Sequence, residues 1–271
     1  SARLDPDCDP RLRANALLRA TLDDQRFVGS LTAETSYGGN AFANWSLPTR
    51  WLWDFKRRAG DEAATLDMQA ENVPLPALPG LCGLNNGYAE FSSRTTLVPG
   101  EPLSSGIQVR VEGLSAGGAE PLTVELSGRI DPKQLSVFAG IGPEGKSQGT
   151  LEATLPLRYD GYRPGIVLTE PAKLKIKARE LELAPLMQFT DALGRASGVI
   201  SADLSVTGSI RKPQPRGYVV LNDLSFTLAS LAQPVRKLNG RLEFTGDALI
   251  LHEVSARDRD GKLYLTGEAR M

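Results

Sequence analysis

The chain of 271 residues has one histidine, two cysteines and few aromatic residues (6%). No apolar run in it approaches the ~18 residues that a membrane-spanning helix requires. Imidazole chemistry has little to work with. A Ser-His-Asp site would have to use His252, no Gly-x-Ser-x-Gly elbow accompanies it, and Cys8 and Cys82 stand at no metal-binding spacing from it. His252 alternates out of register with Leu249 and Leu251, which predicts the polar side of a strand. No catalytic residue, metal or cofactor is therefore expected. An excess of charge of one sign is missing as well. Lys and Arg (31) balance Asp and Glu (32), which removes the phosphate-neutralising drive behind nucleic-acid binding. No signal peptide opens the chain, which reads as an excised piece whose anchor or export signal would lie outside it. For Cys8 and Cys82 two readings stand. Paired, they tie the leader to the start of a sheet and imply an oxidising compartment; otherwise they are two unrelated thiols.

What the sequence has is one motif many times over, a short strand of alternating apolar and polar residues closed by glycine. Leu122, Val124 and Leu126 run into Gly128; Leu204 and Val206 into Gly208; Leu263 and Leu265 into Gly267. Leu155 and Leu157, Leu174 and Ile176, Val219 and Leu221, Leu242 and Phe244, and Leu249 and Leu251 alternate in the same way. Successive side chains of a strand point to opposite faces, so each run builds one apolar and one wet face. With 27 glycines and 18 prolines to supply turns, the pattern predicts an all-β protein, an antiparallel sheet with little helix and one greasy side. Pro156 marks an edge or irregular site.

Residues 1–63 read as a leader with a short helix or a lead-in to the first strands, since Leu12, Ala16, Leu18 (or Leu17) and Leu22 fall at helical spacing. Phe27 to Thr35 and Ala41 to Leu47 read as strands around Tyr37-Gly38-Gly39-Asn40. Trp45, Trp51, Trp53 and Phe55 precede Lys56, Arg57 and Arg58, a mixture found at membrane interfaces. The plainer reading, and the one favoured here, packs the tryptophans onto the end of the sheet. Residues 64–271 are almost all strand, the best helical candidate there being Leu186 to Leu193. An internal repeat runs through this part. Leu66, Met68, Ala70, Val73, Leu75 and Leu78 match Leu174, Ile176, Ala178, Leu181, Leu183 and Leu186 at a constant offset of 108 residues, the mark of a modular, extendable sheet.

Other motifs fall short of chemistry. Asp258 and Asp260 with Gly261 lack the further ligands of a calcium loop and read as a turn. Phe138 to Gly145 is glycine-rich without the Gly-Lys-Ser/Thr ending of a phosphate loop. Glu180 and Glu182 are spaced for one exposed strand face.

The apolar face needs a cover, because each buried Leu, Ile or Val side chain gains roughly 1.5–3 kcal/mol. With helices nearly missing, the cover is the sheet itself, curled or sandwiched, or a ligand. The residues expected to line it are Leu122, Val124, Leu126, Leu155, Leu157, Leu174, Ile176, Leu204, Val206, Val219, Leu221, Leu242, Phe244, Leu249, Leu251, Leu263 and Leu265. They are Leu, Val and Ile with a single Phe, which suits a narrow trough holding acyl chains.

The last third adds a resemblance. Gly208-Ser-Ile-Arg-Lys-Pro213 and Gly217-Tyr-Val-Val-Leu-Asn-Asp-Leu-Ser-Phe226 lead to Leu238-Asn-Gly-Arg-Leu-Glu-Phe244. Gly246-Asp-Ala-Leu-Ile-Leu251 and Gly261-Lys-Leu-Tyr-Leu-Thr-Gly267 follow. This series resembles the repeat of the TamB family and its AsmA-like relatives, the bridging proteins of the Gram-negative envelope, from about Ala64 to Met271. The resemblance implies a β-taco, an elongated, curved sheet folded into a trough with an apolar interior. It also implies a periplasmic span with an inner-membrane anchor, phospholipid movement toward the outer membrane, and partnership with an outer-membrane assembly barrel. The alternatives are a scaffold module that recruits such a barrel through strand edges, and a closed β-sandwich binding a polar ligand such as glycan.

Overall fold

A computed structural model of the chain describes residues 14–36, 38–50, 63–75, 87–98, 101–114, 121–143, 146–160, 163–184, 196–226, 235–257 and 261–270. Cys8, Cys82, Trp51, Trp53, Phe55, Asp258, Asp260, and the segment Leu186 to Leu193 lie outside the described residues.

The first strands are β1 (Ala14–Leu22), β2 (Arg26–Thr35), β3 (Asn40–Pro48), β4 (Ala64–Pro74), β5 (Tyr88–Leu97), β6 (Ser104–Leu114), β7 (Leu122–Asp131) and β8 (Gln134–Pro143). There follow β9 (Gly149–Asp160), β10 (Arg163–Ile166), β11 (Lys173–Glu182), β12 (Ser197–Ser209), β13 (Lys212–Phe226), β14 (Val235–Thr245), β15 (Ala248–Arg257) and β16 (Lys262–Arg270). All belong to one sheet in which β1 to β9 and β11 to β16 follow one another in sequence order, with β10 beside β9. β1 and β16 end that order and are not paired with each other. The all-β expectation holds.

The strands divide into two units. The first comprises Ser1–Ser115, Thr123–Phe138 and Leu155–Val167; the second Ala116–Leu122, Ala139–Thr154 and Leu168–Met271.

In the first unit the described part of the leader is strand, β1 to β3. β1 pairs along its whole length with β2, Leu18 opposite Leu31 and Leu22 opposite Phe27. Leu18 and Leu22 satisfy a period of four and a period of two alike, and pairing with β2 decides between them. The turn between β1 and β2 is held by Asp23, whose carboxylate accepts the backbone N–H groups of Arg26 (2.6 Å) and Gln25 (2.8 Å). Those hydrogen bonds, Arg26 first, keep its carboxyl below the ordinary range. β2 and β3 meet as expected, with Gly29 opposite Trp45. Pro156 falls between the residues of β9 that pair with β11 and those that pair with β10, a gap where a missing N–H costs little.

The strands are interrupted by a recurring bulge. Ala70 pairs with Phe91 and Val73 with Ala89, so β4 advances three residues while β5 advances two. The same slip separates Ala178 from Leu181, Leu221 from Leu224, Val235 from Leu238 and Leu251 from Val254. At each slip one residue takes a left-handed backbone conformation, namely Asn72, Glu180, Asp223, Lys237 and Glu253, with φ between 46° and 49°. Because the partner strand moves by two, the apolar residues on either side of a bulge keep the same face. Three of the bulged N–H groups are taken up by a neighbouring strand's polar side chain. Glu180 donates to Ser201 Oγ (3.2 Å), Asp223 to Asn239 Oδ1 (2.8 Å) and Lys237 to Ser225 Oγ (3.1 Å). Glycine gives the room on the strand alongside. A Cβ on Gly198 would come within 2.7 Å of the Asp223 carbonyl oxygen, and one on Gly240 within 2.8 Å of Val254 Cα. A bulge bends its strand and sharpens its twist, so four of them on β11, β13, β14 and β15 crease the second unit across its strands. Asn72 and Glu180 stand 108 residues apart, which makes the sequence repeat a repeat of this bulge.

Candidate functional site

The candidate site is the apolar face, and cross-strand pairing assembles it. In the second unit Leu151, Ile176, Leu204, Gly217, Phe244, Leu249 and Ala269 form one row across β9, β11, β12, β13, β14, β15 and β16. Beside it run Gly149, Ala178, Ala202, Val219, Leu242, Leu251 and Gly267. On the other side Ala153, Leu174 and Val206 continue the face to Pro215. Across the bulges, Leu181, Ile200, Leu221 and Gly240 form a further row, and Val254 joins them opposite Leu265, with Leu263 opposite Ala256. Of the residues read from sequence, Leu174, Ile176, Leu204, Val206, Val219, Leu221, Leu242, Phe244, Leu249, Leu251, Leu263 and Leu265 thus share one face of one unit. Leu151, Ala178, Ile200 and Val254 share it too, though the sequence reading left them out. Leu122, also in this unit, is buried (5% exposed).

Burial along this face is incomplete. Leu174, Ile176, Leu204, Val219, Leu242, Phe244, Leu249 and Leu251 are half-buried, while Leu263 is 55% exposed. The buried positions on this face are Ala178 and Ala202, with Leu224 and Val254 at the bulges.

The first unit builds its face differently. Ala70, Phe91 and Val109 are cross-strand partners on β4, β5 and β6. With Leu126 of β7 and Phe138 of β8 they lie among the residues of an open cavity of about 640 Å³. Leu126 is 42% exposed and Val124 half-buried, whereas Leu157 is buried at 8% and Leu155 half-buried. This face is not continuously greasy. The row Leu66, Thr95, Ser105 is polar at two of three places, and Thr95 Oγ1 and Ser105 Oγ satisfy each other at 2.8 Å. Toward β1 the face continues through Ala43, Leu31 and Leu18, and on it the Trp45 indole fills the space a side chain on Gly29 would take and lies 6.0 Å from the Phe27 ring. The indole Nε1 is buried without a hydrogen-bond partner. Farther along, the Tyr159 hydroxyl on β9 donates to the Leu103 carbonyl beside β6 (3.1 Å). Two strands separate those elements in the sheet order, so the unit curls enough to bring them together. Burial, and then the Asp131 carboxylate, raise the phenol above its ordinary value.

The opposite face is mainly polar, although it carries Leu17, Val28 and Phe42 in the first unit and Val220 and Ile250 in the second. His252 sits there as expected, Nε2 at 2.9 Å from Glu243 Oε2, and the Arg241 guanidinium lies 4.4 Å over the Tyr218 ring. Arg110 reaches Glu112 (2.7 Å) and Glu125 (3.6 Å), and Arg94 reaches Asp67 (2.6 Å). Among the described residues no group of three or more His, Cys, Asp or Glu is placed to hold a metal, and no helix is long and apolar enough to cross a membrane. No family model, curated protein or solved structure matches this chain.

Proposed function

We propose that this chain is a lipid-conduit segment of a TamB- or AsmA-like periplasmic bridge, carrying phospholipid between the two membranes and supporting outer-membrane assembly. Acyl chains lie along the apolar face with headgroups at its open edge, and the role is binding and passage, without catalysis. One observation carries the reading: the row from Leu151 through Ile176, Leu204, Phe244 and Leu249 to Ala269 crosses seven strands on one face while its large members stay half-buried. Six strand spacings of about 4.8 Å extend such a row over roughly 29 Å. Each methylene laid against it gains about 0.8 kcal/mol. Adjacent rungs offer similar aliphatic surface, so a chain is held along the path without a deep trap at any one rung.

The test is photo-crosslinking from Leu204 and Leu263 in gently purified protein, with lipid extraction and native mass spectrometry. Phospholipid is expected at both positions and as a co-purifying mass. Leu204→Arg is expected to leave the fold intact and to lower lipid capture and transfer at least tenfold. Absence of lipid at both positions sinks the conduit, and global unfolding of Leu204→Arg would show a dry, closed core instead.

A further inference from the structure

The polar face of the second unit carries a basic pocket that the lipid reading does not use. Lys237, Arg257 and Lys262 line a cavity of about 220 Å³ together with Asn239, Ser255 and Tyr264, and Asp223 is the one carboxylate among its described lining residues. The register explains the convergence. Ser255 is opposite Asn239 on one side and Tyr264 on the other, and Arg257 is directly opposite Lys262. Two like charges facing across a ladder repel, and among the described residues none of the three cations has an ion-pair partner. The bulges hold the pocket in shape. The Asn239 side chain accepts the Asp223 N–H (2.8 Å) and donates to the Asp223 carboxylate (3.2 Å) and the Lys237 carbonyl (3.1 Å), tying β13 to β14. Asp223 is thereby occupied by an amide, which among the described residues leaves three cations and two hydroxyls for a ligand.

We infer that this pocket binds a phosphate group, as a monoester or diester. Arg257 offers a planar fork for two oxygens, the lysines add point charges, and Ser255 and Tyr264 add hydroxyl donors. The volume takes a phosphate and a small attached fragment, below the range of larger organic ligands. These side chains alternate with Leu238, Gly240, Val254, Leu263 and Leu265 and so point away from the apolar face. The site therefore stands or falls independently of acyl-chain binding.

Calorimetric titration of the whole chain with sn-glycerol 3-phosphate and with inorganic phosphate tests the site, alongside flotation with phosphatidylcholine vesicles with and without phosphatidylglycerol. Saturable binding is expected, weakened about tenfold by Lys237→Ala or Lys262→Ala at unchanged melting temperature. Lys175→Ala, which removes the same charge from the polar face of β11, is expected to leave it intact. Binding of the soluble phosphates alone assigns a free phosphate ester. Flotation that needs phosphatidylglycerol and Lys262 assigns a lipid headgroup. Equal loss in Lys175→Ala, or no saturable binding of any of these probes, overturns the site.

Discussion

At the scale of single residues the clearest dependence is between Gly29 and Trp45. They are cross-strand partners, and the indole lies over the glycine so closely that a Cβ there would sit 2.5 Å from Cε2. Gly29→Ala must therefore displace a large ring that also touches Phe27. A loss of about 1–3 kcal/mol is expected from the shift in denaturant midpoint at unchanged slope. In a Trp45→Ala background the same Gly29→Ala change should cost less than about 0.5 kcal/mol, because the obstruction is gone. Equal costs in the two backgrounds would mean that something other than the indole requires the glycine.

At the scale of strands the bulges decide which face a residue occupies. Glu180, exposed on β11, is held at φ 49°, a conformation that costs an ordinary residue roughly 1–2 kcal/mol. Glu180→Gly is expected to be neutral or to gain up to about 1 kcal/mol. Glu182→Gly, two residues on in the same strand, should lose about 0.5–1 kcal/mol, as glycine does in regular strand. Urea unfolding of the two variants separates them, and equal losses would mean that the bulge is not held in solution. The strands themselves were legible because Leu122 to Leu126, Leu204 to Val206 and Leu263 to Leu265 alternate without interruption and close on glycine. The bulges were not, since Asn72, Glu180, Asp223, Lys237 and Glu253 share no residue type. Their trace lay in the spacing of apolar residues, three instead of two, from Ala70 to Val73, Ala178 to Leu181, Leu221 to Leu224 and Leu251 to Val254. Much of the first unit's face was missed for a different reason. β5 presents Ala89, Phe91, Ser93 and Thr95 on one side, so two hydroxyl residues hid the alternation that Phe91 and its partner Val109 complete.

At the scale of the whole chain, almost every strand pairs with the strands just before and after it in sequence, β10 being the one set to the side. The 108-residue repeat places equivalent bulges at Asn72 in the first unit and Glu180 in the second. Stability in such an array approximates a sum of local terms and nearest-neighbour terms, and a local loss decays along the sheet. Gly198→Ala provides the perturbation. Its φ is +108°, and a Cβ there would lie 2.7 Å from the Asp223 carbonyl oxygen and Leu224 Cα, so β12 and β13 must part locally. Hydrogen exchange read by mass spectrometry should then show lost amide protection in β12 and β13, a smaller loss in β11 and β14, and no change in β2 to β4. A uniform loss over all strands would instead mark one cooperative block, in which the repeat has no energetic independence.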